Sequence, residues 1–143
     1  MAYISKITTK FTGISPTVDP PHNALAAGPN NLLMIEGSTI EWTDLSGGNA
    51  TAQSVYQFFN PLGPTADNAL FDQRAVYDSV NGRFVVTMDN LGPNNVSNVD
   101  IAISKDSNPN DGWYFYSLNT DITINGQLTA ADQPILAIDG SNI

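Results

Sequence analysis

Glycine, proline, asparagine or aspartate interrupts this chain roughly every 6 to 12 residues, and short runs rich in β-branched and aromatic side chains lie between the interruptions. Breakers at that spacing leave no room for ordinary amphipathic helices. The polar residues agree: there are 16 Asn and 12 Asp against 2 Glu and 3 Lys, so turn formers stand where exposed helices would carry helix stabilisers. The sequence therefore predicts an all-β fold.

The clearest strands lie between residues 73 and 118. Residues 73–78 form a short strand, and 83–88 return antiparallel after Ser79-Val80-Asn81-Gly82, whose Asn-Gly pair predicts a two-residue hairpin loop that sets the register. Residues 99–104 follow, with Val99, Ile101 and Ile103 on one face, and residues 113–118 follow a turn from Asp106 to Gly112. Four strands in sequence make a meander. The same order is predicted upstream, with strands at 23–27, 32–36, 39–43 and 53–59.

A third copy opens near the end. Residues 132–142, beginning Asp132-Gln133-Pro134-Ile135-Leu136-Ala137-Ile138-Asp139, can be laid under residues 72–82, beginning Asp72-Gln73-Arg74-Ala75-Val76-Tyr77-Asp78-Ser79, and His22-Asn23-Ala24-Leu25 occupies the corresponding slot upstream. Repeats of four strands at about 40–50 residues are the signature of propeller blades. The expected organisation is a single β domain over 1–143: blade-like repeats at 22–59 and 72–118, and the start of a third at 132–143. A single β-sandwich with coincidental turn similarity is the alternative. Propellers close with about 4–8 blades, so two blades and a beginning suggest part of a longer chain or a ring completed by homo-oligomerisation.

Composition narrows function mainly by exclusion. With no cysteine there is no disulfide framework, thiolate metal site or cysteine nucleophile, and the lone His22 rules out a site needing two imidazoles. A net charge of -9 with 5 scattered cations disfavours nucleic acid and anionic membranes. No apolar run is long enough to span a membrane, and the start of the chain, with Lys6 and Lys10, lacks the apolar core of a signal peptide. Cysteine-free, acidic, Asp/Asn/Gly/Thr-rich chains resemble bacterial proteins exported by the type I route; a turn-rich β protein of any location has the same composition.

Four motifs in order resemble a family of large secreted bacterial proteins whose N-terminal region is a β-propeller. They are Phe11-Thr12-Gly13 with Asp19-Pro20-Pro21 and the turn Ala27-Gly28-Pro29-Asn30; Asp72-Gln73-Arg74-Ala75-Val76-Tyr77-Asp78 with Arg83-Phe84; Ile101-Ala102-Ile103-Ser104 with Trp113-Tyr114-Phe115-Tyr116; and Asp132-Gln133-Pro134 with Ile138-Asp139. Gln73 stands where the family usually has proline, and Asn108-Pro109-Asn110 where it has Asp-Pro-Thr. The resemblance implies an extracellular or cell-surface propeller scaffold with little chemistry of its own. Its partner would be a cell-surface, polysaccharide or protein ligand.

Within that frame, Ser104-Lys105-Asp106 and Gly112-Trp113 resemble a stretched Asp-box of sialidase-type propellers, in which side chains staple a turn and the tryptophan packs between blades. Sialidase chemistry needs an arginine cluster, and only Arg74 and Arg83 exist. Asp72 and Asp132 hold equivalent repeat positions at strand entrances, where they would face one end of a propeller channel. Carboxylates converging there could hold calcium, which takes six to eight oxygens; capping a turn is the structural alternative. Asp106 and Asp111, with Asn108 and Asn110, form an oxygen-rich loop that lacks the glycine and closing glutamate of an EF-hand. For a hydrolase, serine has only His22 as a base and no Gly-x-Ser-x-Gly occurs. A carboxylate pair acting on glycans, completed in other blades, is the rival to a non-catalytic scaffold. Trp42, Trp113, Tyr114 and Tyr116 could stack sugars but are expected mainly in an inter-blade core. The sequons at Asn49 and Asn95 carry little weight in so Asn-rich a chain.

Overall fold

The computed structural model describes residues 9–15 and 22–139. Lys6, the Asp19-Pro20-Pro21 part of the motif series and the final turn at 140–142 lie outside the described residues. Apart from short helical turns, the regular structure is antiparallel strand, as the sequence predicts.

The first sheet contains β1 (Asn23–Ala27), β2 (Asn31–Glu36), β3 (Thr39–Asp44) and β4 (Thr51–Ser54) in the order β1-β2-β3-β4. The second contains β5 (Ala69–Asp78), β6 (Arg83–Leu91), β7 (Ser97–Ser104) and β8 (Trp113–Asn119) in the order β5-β6-β7-β8. Each is a meander. A small hairpin of β9 (Ile122–Ile124) and β10 (Gln127–Thr129) follows, and the chain then runs without regular pairing from 130 to 139.

Two local readings change. Residues 53–59 do not form one strand: β4 stops at Ser54, and a single-turn helix, α1 (Val55–Phe58), takes over. The Ser54 hydroxyl accepts the Gln57 amide at 3.1 Å while the Gln57 side chain accepts the Ser54 amide at 3.2 Å. That reciprocal capping box outweighs the strand preference of Val55, Tyr56 and Phe58. The β5–β6 loop has four residues, because Asp78 pairs with Arg83. The Asp78 carboxylate accepts the amides of Val80 at 2.9 Å and Asn81 at 3.1 Å, winding an Asx turn with Gly82 at φ 67°.

The two sheets face each other. Ala26, Leu33, Ile35, Ile40 and Trp42 of the first meet Phe84, Val86, Met88 and Ala102 of the second, all buried. Alternation along each strand puts these residues on one face, and burying each large side chain contributes about 1.5–3 kcal/mol. Helix α1 wedges Phe58 into the seam. Its ring lies 5.0 Å from Trp113, 5.4 Å from Phe115 and 6.2 Å from Trp42, centroid to centroid. The indole of Trp42 also donates to Asn110 Oδ1 at 2.8 Å, tying the first sheet to the β7–β8 turn.

The β7–β8 turn is stapled by side-chain hydrogen bonds. Ser104 Oγ accepts the Phe84 amide at 2.8 Å and donates to the Asp106 carbonyl at 2.6 Å, and Trp113 Nε1 donates to the Pro109 carbonyl at 2.9 Å while its ring packs between the sheets. Trp113 and Phe115 join the inter-sheet core. Tyr114 and Tyr116, expected there as well, point the other way and are exposed.

Gly28 closes β1 against this core. A Cβ there would lie 2.7 Å from Phe84 Cζ and 3.1 Å from Tyr77 Cδ2, and Phe84 is fully buried with nowhere to retreat. Gly28→Ala is expected to cost about 1–3 kcal/mol by overpacking, read as a lowered urea midpoint at unchanged slope.

Candidate metal centre

The edge strand β5 of the second sheet carries an irregularity at the first candidate residue. Register along β5–β6 jumps from Phe71 opposite Asp89 to Arg74 opposite Thr87, so Asp72 and Gln73 form a bulge. Asp72 takes φ 50°, a left-handed conformation that aspartate tolerates better than most residues. The bulge turns its carboxylate towards two neighbours. One is Asp89, near the C-terminal end of β6; the other is Asp132, on the run that follows β10. Each of the three offers an oxygen, and these oxygens all lie within 4.8 Å of one another.

The run carrying Asp132 is held in place from both sides. The Ala131 amide donates to Ser97 Oγ at 2.9 Å, and the Gln133 amide donates to Asp72 Oδ2 at 3.3 Å, with Gln133 at φ 55°. On the other flank, His22 Nδ1 lies 3.3 Å from Asp72 Oδ1, and the buried Gln73 side chain donates to the His22 carbonyl. The three slots that align in sequence, at His22, Asp72 and Asp132, therefore meet in space.

Asp89 is the unusual member. It is 1% exposed, and both of its carboxylate oxygens are buried without a hydrogen-bond partner. Asp100, equally buried one strand away, shows the ordinary solution: it accepts Asn90 Nδ2 at 2.7 Å and Ser117 Oγ at 2.6 Å. Burial, followed by the negative charges of Asp72 and Asp132, pushes the Asp89 carboxyl up to about 6; the Arg74 guanidinium opposes this and is outweighed. The Asp132 carboxyl is also raised, first by its side-chain hydrogen bond with Asp72, then by desolvation and by the Asp72 charge. Asp89 and Asp132, each close to another carboxylate, resist ionisation unless positive charge joins them.

The structure thus brings Asp72 and Asp132 together and adds Asp89, which the sequence reading passed over. A signal was present: an aspartate at the end of the apolar stretch Phe84-Val85-Val86-Thr87-Met88 is costly unless paired, bonded or metal-bound. Asp106 and Asp111 lie elsewhere, in the β7–β8 turn. Asp106 Oδ1 accepts the Asn108 amide at 2.8 Å and Asp111 Oδ2 accepts Asn108 Nδ2 at 3.0 Å, so these carboxylates staple their own loop. Among the described residues they join no group of three metal-ligating side chains.

Among the described residues, no helix is long and apolar enough to cross a membrane. No protein-family model, curated protein or solved structure matches the chain.

Proposed function

We propose that this chain is a propeller-type segment of a secreted or cell-surface protein, acting as a non-catalytic scaffold that presents its turns and outer faces to a polysaccharide or protein ligand. One observation carries the reading. Two four-stranded meanders with the same strand order pack face to face, and a third copy of the opening motif follows beside the second sheet. The outermost strand β8 supports a presenting role, because Tyr114, Tyr116 and Leu118 are about half exposed on the side away from the seam. The motif series supports the extracellular setting.

The rival is a glycan hydrolase using the aspartate cluster as acid and nucleophile. The raised Asp89 would suit a general acid, but at 1% exposure no glycosidic oxygen can reach it.

A panel of bacterial surface polysaccharides tests the two together. The expected result is saturable binding to at least one polymer with no release of reducing ends. Release that disappears in Asp89→Asn would establish the hydrolase, and neither binding nor release would remove the binding role.

A further inference from the structure

We propose that Asp72, Asp89 and Asp132 bind one hard divalent cation, calcium by size, and that the ion clips the run from 131 to 139 onto the second sheet. The proposal names what fixes the third repeat, and it rests on the scaffold reading for that structural role alone.

Two independent observations point to the ion. The first is spacing. Calcium holds oxygens at about 2.3–2.6 Å, so two ligands on opposite sides of one ion lie about 4.6–5.2 Å apart. The three oxygens here fall within 4.8 Å of one another, inside that limit. Magnesium demands near-octahedral geometry, keeps several of its waters and is usually held by one or two carboxylates, so three protein carboxylates suit calcium better. The second is Asp89: a carboxylate 1% exposed, with neither oxygen bonded, faces the other two. A buried, unpartnered anion is expensive. The nearby basic side chains do not satisfy it, since Arg74 Nη1 donates to the Gln73 carbonyl and His22 Nδ1 lies against Asp72. An ion shared by three carboxylates supplies the missing charge and replaces the missing hydrogen bonds.

The ligands come from three separate places: the β5 bulge, the C-terminal end of β6 and the run after β10. An ion bound among them links the third repeat to the second as no single hydrogen bond there does. The left-handed conformations of Asp72 and Gln133 belong to the same arrangement, since strained backbone persists where a site holds it.

Calcium titration of the metal-stripped chain by calorimetry, with parallel thermal melts, tests this. The wild type is expected to bind one calcium per chain, prefer it to magnesium, and melt about 10 °C higher at a calcium concentration near 100 times the dissociation constant. Asp89→Asn should weaken calcium binding roughly tenfold or more and abolish the shift, whereas Asp106→Asn should leave both unchanged. Should Asp89→Asn fail to fold, manganese added to the isotope-labelled wild type serves instead: amide signals of Asp72, Asp89 and Gln133 should broaden first. A folded wild type with no calcium heat or shift, equal affinity in Asp89→Asn, or broadening centred on Asp106 to Asp111 would overturn the proposal. Such a failure leaves the scaffold reading standing, because polysaccharide binding is measured separately.

Discussion

Phe58→Ala is expected to destabilise the protein by about 3–5 kcal/mol, the range for removing a buried aromatic ring that cannot be replaced by collapse. Phe58 stands on a single-turn helix and touches rings from both sheets: Trp42 from the first, and Trp113 and Phe115 from the second. Its own neighbour Phe59, at 5.0 Å, completes the nest. The edge-to-face geometry adds about 0.5–1.5 kcal/mol per pair beyond the area buried. Because the ring joins the sheets, its loss should lower the urea midpoint of one cooperative transition. A loss below about 1 kcal/mol would mean that the seam does not hold the sheets together.

The second large effect is electrostatic. In metal-free buffer, the stability of the wild type should fall as pH rises from about 4 to about 6 and stay low above that. The sign follows from Asp89, whose carboxyl is raised from 3.8 to about 6 in the folded state. Between those values the folded chain holds a proton that the unfolded chain has released, so stability is lost as that proton leaves. At about 1.4 kcal/mol per unit, the span corresponds to about 3 kcal/mol. Asp44, Asp78 and Asp121 act in the opposite direction. Their carboxyls are lowered, chiefly by side-chain hydrogen bonds from Ser46, Asn81 and Asn119 respectively, and the stability they contribute disappears as pH falls below the ordinary carboxylate range. The metal-free chain should therefore be most stable near pH 4–5. Asp89→Asn should flatten the upper limb and make the metal-free protein more stable than the wild type at pH 7. Urea midpoints at pH 5 and pH 7.5 for both proteins check this; a wild type more stable at pH 7.5 without metal would contradict it.

Much of the architecture was legible because strand alternation and turn chemistry act locally. The order of the second sheet follows from its turns, and Asp72 and Asp132, paired by the similarity of their local sequences, do lie close together. What escaped depended on competition or on distance. Val55, Tyr56 and Phe58 favour strand, but the Ser54–Gln57 pair, four residues long, decides for helix. The Asn-Gly signal was read at Asn81-Gly82, where the Asp78 side chain imposes a longer loop. A genuine two-residue Asn-Gly hairpin lies at Asn125-Gly126, with φ 51° and 78° and Ile124 opposite Gln127, between strands too short to stand out. Asp89 was hidden for a third reason. Its role depends on the bulge at Asp72, and a bulge that shifts register leaves little trace in the pattern of hydrophobic residues.

The most direct test of the account is X-ray diffraction from crystals grown with calcium, with anomalous difference maps collected at long wavelength. One strong peak is expected about 2.3–2.6 Å from oxygens of Asp72, Asp89 and Asp132, with the run after β10 ordered against the second sheet. No peak at that cluster, while the three carboxylates keep the same positions, would contradict it.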